Sequence, residues 1–336
     1  MISFDEFKDA LLAHVSDYLP ERLKDWSVSF VQVPKNNVVK DALKFSSPGK
    51  DAPSPVMYLD SMYNRFSETN DFEKILETIR AELETVVDKG IVLNNKIDKD
   101  SAKDNIVFTL INTEHNKDFL AGVPHRNIED LSVVYRWVVN IDQDGVASTI
   151  VNNNVAKELG LDEETLFDLA QNNTKRIFPP TVLSMNECLK KMMLAEGFPA
   201  EMVDEFVPPD LPAEETMWVI GNENQFFGAS SILYDNILSD LSDKLDSDLY
   251  VLPSSTMEVI CVSSKCDAAK VGPNNLSNLV ESVNSNQVNV ADRLSNNVYF
   301  YNHLNRTLTQ VTASEKSLSD EPTFSDPVVN FGKKKI

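Results

Sequence analysis

The order of the hydrophobic patterns along the chain is the feature that most restricts its fold. Stretches rich in β-branched and aromatic residues come in groups, and stretches with helical spacing are interspersed among them without strict alternation. Strict alternation of strand and helix would indicate a doubly wound parallel sheet. The observed order instead predicts an α+β fold with mixed or antiparallel sheets and interspersed helices, in two domains or subdomains.

In the N-terminal half, capping boxes and turn residues define the predicted elements. Ser3 and Glu6 have the spacing of a capping box at the start of an amphipathic helix, and Pro20 ends that helix. Ser184 and Glu187 repeat this spacing, and Gly197 suits the end of the helix that they begin. The turn-prone PKNN (34–37) and an Asp-Gly turn at residues 143–145 each predict a hairpin. The main predicted strands are 26–33, 38–45, 106–113, 131–142 and 146–153, and the main helices are 4–19, 71–89, 162–173 and 184–197.

An acidic, proline-rich stretch at 199–215 is the predicted boundary between domains. It holds four prolines, which is typical of an exposed linker. We therefore predict an N-terminal α+β domain at 1–198, a linker at 199–215, a C-terminal α+β domain at 216–314 and a flexible tail at 315–336. The C-terminal domain is predicted to contain strands at 217–221, 227–233, 249–253, 257–262, 297–302 and 308–312, and helices at 236–245 and 275–284.

The charge of the chain is strongly negative and unevenly distributed. There are 52 acidic and 31 basic residues, and the formal net charge is -21. Residues 195–250 contain thirteen acids and one base, Lys244, so their net charge is 1 minus 13, or -12. Binding to nucleic acids and anionic lipids rests on Lys and Arg. The composition therefore predicts no direct nucleic-acid binding and no membrane binding, and it favours a basic protein partner.

The sequence predicts a cytoplasmic protein. The first residues place acids where a signal peptide needs a basic region, and no apolar run is long enough to cross a bilayer. The three cysteines are an odd number in a chain that does not need disulfides for stability, which is typical of a reducing compartment.

No motif predicts a catalytic, cofactor-binding or metal-binding residue, so we predict none of these sites and no cofactor. The glycines are scattered and form no phosphate-binding loop. The histidines and cysteines are too dispersed for a zinc site. His125 and Cys266 lie in predicted loops without a visible catalytic partner, and we interpret both as structural.

Several segments resemble a family of uncharacterised bacterial proteins. They are KNNVVK (35–40), PVMYLDSMYNRF (55–66), LFDLAQNNTKRIFPP (166–180), MWVIGNENQFFGASSILY (217–234) and DLYVLPSSTMEVICV (248–262). In their order and spacing they are similar to a domain-of-unknown-function family from anaerobic Gram-positive gut bacteria. The resemblance implies a bacterial cytosolic protein and carries no activity, cofactor or site residue.

Two functional hypotheses follow from the sequence. The first is a non-enzymatic acidic interaction protein that engages a basic protein surface, because catalytic motifs are missing and acids are concentrated at 195–250. The alternative is a metal-dependent hydrolase whose site is assembled from dispersed carboxylates, with Asp246 and Asp248 as the first candidates. The sequence leaves the oligomeric state and the identity of the partner open.

Overall fold

The computed structural model describes residues 2–48, 54–88, 99–142 and 145–313. It confirms the α+β class, with antiparallel sheets and interspersed helices. Contacts divide the chain into two compact units, residues 1–98 (unit 1) and residues 99–336 (unit 2). The predicted boundary at 199–215 does not coincide with this division, because strands on either side of it pair within unit 2. The predicted tail, 315–336, lies outside the described residues.

Unit 1 combines helices with a three-stranded sheet around one core. Its elements are α1 (Phe4–His14), β1 (Ser27–Lys35), β2 (Val38–Ser46), β3 (Val56–Tyr58), α2 (Leu59–Thr69) and α3 (Phe72–Asp88). The predicted capping box forms at α1, where the Glu6 N–H donates to Ser3 Oγ at 3.2 Å. The predicted hairpin also forms, between β1 and β2. Phe7, Phe45 and Ile75 are fully or almost fully buried between the helices and the sheet.

Unit 2 contains two antiparallel sheets that share a core. The strands of the first sheet are β4 (Ile106–Asn112), β5 (His125–Ile128), β6 (Leu131–Asp142) and β7 (Gly145–Ile150). The second sheet has the order β13-β12-β10-β11-β9-β8, with β8 (Pro180–Ser184), β9 (Trp218–Asn222), β10 (Leu249–Leu252), β11 (Val259–Ser263), β12 (Tyr299–Asn302) and β13 (Thr307–Gln310). Phe108 and Tyr135 of the first sheet lie in one hydrophobic cluster with Ile220 and Val251 of the second. The predicted β6–β7 hairpin is confirmed, and turn residues 143 and 144 lie outside the described residues.

The helices predicted at 162–173, 184–197, 236–245 and 275–284 are present in unit 2 with shifted ends, and the structure describes further helices beside them. They are α4 (Lys99–Asp104), α5 (Lys117–Leu120), α6 (Asn153–Leu159), α7 (Glu163–Ile177), α8 (Met185–Ala195), α9 (Ala200–Phe206), α10 (Ile237–Leu245) and α11 (Pro273–Gln287). Asp162 caps α7, accepting a hydrogen bond from the Thr165 N–H at 2.9 Å. Proline cannot continue a helix, and α7 ends just before Pro179 and Pro180.

The predicted strand at 227–233 is wrong, because this segment forms a 3-10 helix at Gly228–Leu233. Gln225 and Phe227 have φ values of 59° and 57°, which are incompatible with an extended strand. A Cβ at Gly228 would lie 2.1 Å from the carbonyl oxygen of Met257, so only glycine allows the backbone to approach this closely. With the backbone packed this closely, residues 227–233 do not extend into the predicted strand.

A buried polar segment, residues 293–299, connects the two sheets of unit 2 through hydrogen bonds. Asp130, in the turn between β5 and β6, accepts hydrogen bonds from Ser295 Oγ at 2.7 Å, Asn297 Nδ2 at 2.8 Å and the hydroxyl of Tyr299. Burial and the negative charge of Asp130 raise the pKa of Tyr299. Burying polar groups is costly unless they are hydrogen-bonded, and here the carboxylate supplies the acceptor.

Candidate interaction surface

The first helix after β8 has well-defined ends. Ser184 and Glu187 form the predicted capping box of α8, with the Glu187 N–H donating to Ser184 Oγ at 3.1 Å. At the other end, Gly197 has a φ of +88°, a left-handed conformation that glycine adopts readily. The Phe198 N–H donates to the Met193 carbonyl at 3.1 Å, which is the long bond of a Schellman motif. The left-handed residue Gly197 therefore ends α8, as the sequence predicts.

The short helix α9 carries more apolar residues than it buries. Met202 and Phe206 are four residues apart, as are Val203 and Val207, so the four side chains form two neighbouring stripes. The Val203–Val207 stripe is buried. Met202 and Phe206 are 41% and 65% exposed. One apolar stripe of this helix therefore contributes to the core, and the other faces solvent.

Contacts with α8 hold the segment that follows it. Asn186 Nδ2 donates to the Pro208 carbonyl at 3.1 Å and to Asp210 Oδ1 at 3.2 Å. Lys190 Nζ lies 3.7 Å from Asp204 Oδ1. The stretch that the sequence predicts as a linker is exposed, but it contains a helix and is tied back onto α8.

Residues 194–211 therefore carry their exposed apolar side chains on a folded segment that is held on α8. We name these residues the acidic–apolar surface. Among the phenylalanines in the described ranges, Phe198 and Phe206 are the two that are exposed. Large apolar groups that stay in contact with water in a folded segment are typical of interaction sites. The exposed apolar side chains of this surface are Leu194 (50%), Phe198 (40%), Met202 (41%), Phe206 (65%) and Leu211 (61%).

The same residues carry negative charge only. The acidic–apolar surface contains five acids and no Lys or Arg; the acids are Glu196, Glu201, Asp204, Glu205 and Asp210. All five are exposed, and Asp204 is the one with a lysine nearby. Basic groups would be electrostatically complementary to these carboxylates.

The carboxylates proposed for the hydrolase alternative do not form a site together. Asp246 follows α10 in a left-handed conformation, its side chain is 90% exposed, and it pairs with Lys265 at 3.2 Å. Asp248 accepts a hydrogen bond from the His303 N–H at 2.7 Å. Across the described residues, no group of three or more His, Cys, Asp or Glu is placed to hold a metal ion. No observation favours the hydrolase alternative.

The other residues considered from the sequence have structural partners. His125 lies in β5, and its Nδ1 is 3.0 Å from the Val123 carbonyl. Cys266 is 2% exposed, and burial raises the pKa of its thiol, which makes it a poor nucleophile. The side-chain amide of Asn173 donates to the carbonyls of Lys103 and Ile106 within unit 2.

Ser242, His303 and Asp243 contain the residue types of a catalytic triad, but their geometry is different. Ser242 Oγ donates to the Ser247 carbonyl at 2.8 Å and lies 2.7 Å from His303 Nδ1. Since this hydroxyl proton is already used, His303 Nδ1 must be the donor to Ser242. Asp243 also approaches Nδ1, at 3.6 Å, whereas a triad uses both ring nitrogens. Ser242 is fully buried, so we interpret the group as structural.

Comparison with known proteins identifies a family. Residues 4–303 match the model of DUF5688, a family of unknown function. The chain belongs to this family. The match confirms the predicted resemblance to a domain of unknown function and covers the whole acidic–apolar surface. No curated protein and no solved structure matches the chain. In the part of the chain that the structure describes, no helix has both the length and the apolar character needed to cross a membrane.

Sequence reasoning identified the acids of this surface but missed its apolar residues. The prolines at 199–215 favour a linker, and the short helix between Pro199 and Pro208 was not predicted. A signal was present in the sequence, because AEMVDEFV at 200–207 places apolar residues on two neighbouring stripes. The structure buries the Val203 stripe and leaves the Phe206 stripe exposed.

Proposed function

We propose that this chain is a non-enzymatic interaction protein that binds a basic protein partner through the acidic–apolar surface. The observation that carries the proposal is the combination, in residues 194–211, of five exposed apolar side chains with five acids and no base. Burying one large apolar side chain contributes about 1.5–3 kcal/mol, and opposite charge increases the association rate and the specificity.

The setting of this function is the bacterial cytosol. This part of the proposal rests on the resemblance to proteins of anaerobic gut bacteria and on the cysteine content. The same negative charge that favours a basic protein disfavours nucleic acids and anionic membranes as partners.

The test is affinity capture of the tagged chain from lysate of its host at two salt concentrations, with mass spectrometry of the bound proteins. At about 0.1 M salt the Debye length is roughly 10 Å, and at about 1 M it is roughly 3 Å. We expect basic proteins to bind at the lower salt and to be released at the higher one.

Two matched triple variants assign the binding to the surface. Glu196→Gln, Glu201→Gln and Glu205→Gln remove three charges from the acidic–apolar surface, and we expect capture to be lost. In the control, Glu158→Gln, Glu164→Gln and Glu223→Gln remove three exposed charges elsewhere in unit 2, and capture should persist. Equal capture by both variants, or no capture by the wild type, would contradict the proposed function.

A further inference from the structure

We infer that the element bound by the acidic–apolar surface is a basic amphipathic α-helix of the partner. This inference rests on the proposed function and specifies the chemistry of its partner. The helix would place an apolar stripe on Met202, Phe206 and their exposed neighbours, with Lys or Arg beside it facing the acids.

The first argument is that Met202 and Phe206, two of the exposed apolar residues, lie on the helix α9, along which backbone groups are already hydrogen-bonded. The Val203 N–H donates to the Pro199 carbonyl at 3.1 Å, and the Val207 N–H donates to the Val203 carbonyl at 3.0 Å. Strand addition requires free backbone donors and acceptors along an edge. Recognition here must therefore use side chains, as in the packing of one helix on another.

The second argument is the spacing of the exposed groups. Met202 and Phe206 lie four residues apart on α9, which separates their Cβ atoms by about 6 Å along the helix. An amphipathic helix repeats its own apolar residues at the same interval, so the two rows can interdigitate. Phe198 and Leu194 are exposed apolar residues of the segment between α9 and the end of α8. Methionine is flexible and polarizable and is common on surfaces that accept helices.

The third argument disfavours a second copy of the chain as the occupant. A two-fold symmetric contact through this surface would place its five acids against the same five acids of the partner copy. Like charges brought together in an interface oppose association. A basic helix compensates these carboxylates, whereas another copy repeats them.

The experiment compares two synthetic peptides of identical composition. Each has about 18 residues, roughly five helical turns, and contains only leucine and lysine. In the first, leucines recur at i, i+3, i+4 and i+7; in the second, their order is scrambled so that no apolar stripe forms. Binding to the full chain is measured by calorimetry, and peptide helicity is measured by circular dichroism.

We expect the amphipathic peptide to bind at least about tenfold more tightly than the scrambled one and to gain helicity on binding. Phe206→Ser should weaken its binding at least about tenfold. The matched control is Leu304→Ser, which removes an 85% exposed leucine outside this surface and should leave the affinity unchanged. Thermal unfolding of each variant confirms that it is folded.

Three outcomes would overturn the inference. Equal binding of both peptides would mean that charge alone is recognised, and the proposed function would survive without a helical partner. Failure of both peptides to bind would refute the helix while leaving lysate capture as the separate test of the proposed function. Self-association in sedimentation that Phe206→Ser abolishes would assign the surface to a second copy.

Discussion

Unit 2 contains two regions in which the usual distribution of polar and apolar residues is reversed. In the buried polar segment at 293–299, polar side chains lie inside the protein; in the acidic–apolar surface at 194–211, large apolar side chains lie outside. The first reversal is compensated within the chain, because Asp130 accepts hydrogen bonds from three side chains of the segment. The second is not compensated, since Phe198 and Phe206 remain exposed.

This difference separates an exception to the burial rule that is structural from one that we propose to be functional. A buried polar group that has its partners contributes to a unique fold and needs no ligand. Several large apolar groups exposed in one folded segment are typical of sites at which a partner binds. Substitutions in the polar segment should therefore reduce stability, and substitutions on the surface should reduce binding.

Of the substitutions within the two regions, the one with the largest expected effect on stability lies at the polar segment. Asp130→Ala would leave the buried donors of Ser295, Asn297 and Tyr299 without their acceptor, and we expect a loss of about 3 kcal/mol in the free energy of unfolding. Urea unfolding, followed by tryptophan fluorescence in a Trp26→Phe background, reports on unit 2.

The matched control for Asp130→Ala is Asp118→Ala, because Asp118 is an exposed acid on α5. We expect this control to change stability by less than about 0.5 kcal/mol. Similar unfolding midpoints for the two variants would show that the polar segment does not depend on its carboxylate.

A smaller effect on stability is expected from a substitution at Gly197, near the start of the acidic–apolar surface. Gly197→Ala places a Cβ at a φ of +88°, which costs about 1–2 kcal/mol even though no atom lies within 4 Å of that Cβ. Gly197→Asn is the control, since asparagine tolerates the left-handed conformation better. We expect the alanine variant to be less stable and to bind the amphipathic peptide more weakly than the asparagine variant. Equal stability and equal peptide affinity of the two variants would show that the left-handed turn at Gly197 does not position the acidic–apolar surface.

Alkaline pH provides a third test, on the polar segment. The pKa of Tyr299 is raised in the folded protein, whereas the unfolded residue ionises near pH 10. Above about pH 10 the unfolded chain therefore releases a proton that the folded chain retains, and stability falls as pH rises, by up to about 1.4 kcal/mol per pH unit. Tyr299→Phe should cost about 1 kcal/mol at pH 7 and make the alkaline decline shallower. An unchanged slope above pH 10 would contradict the role of Tyr299.

The smallest expected stability change belongs to the surface. Phe206 is 65% exposed, so Phe206→Ser should alter the free energy of unfolding by no more than about 0.5 kcal/mol. Phe178→Ala, which truncates a fully buried phenylalanine, should cost about 3–5 kcal/mol. If both variants lost similar stability, Phe206 would be part of the core and the contrast between the two regions would fail.

Local elements were predictable because their signals are local. The capping boxes at Ser3 and Ser184, the helix stop at Gly197 and the β1–β2 and β6–β7 hairpins all depend on residues a few positions apart. Residues 227–233 were not predictable in this way. Their apolar pattern is typical of a strand, but the carbonyl of Met257, about thirty positions away, decides the conformation at Gly228.

The sequence by itself determined the α+β class, the negative charge and the absence of recognisable catalytic motifs, because composition and short-range periodicity express these properties directly. Only the tertiary structure decided that β8 and β9 pair across the predicted linker and that Asp130 collects donors from residues 295–299. It also decided which apolar stripe of α9 is buried. Helical spacing makes the Val203 and Phe206 stripes equivalent candidates for burial, and only the packing of the rest of unit 2 distinguishes the core side from solvent.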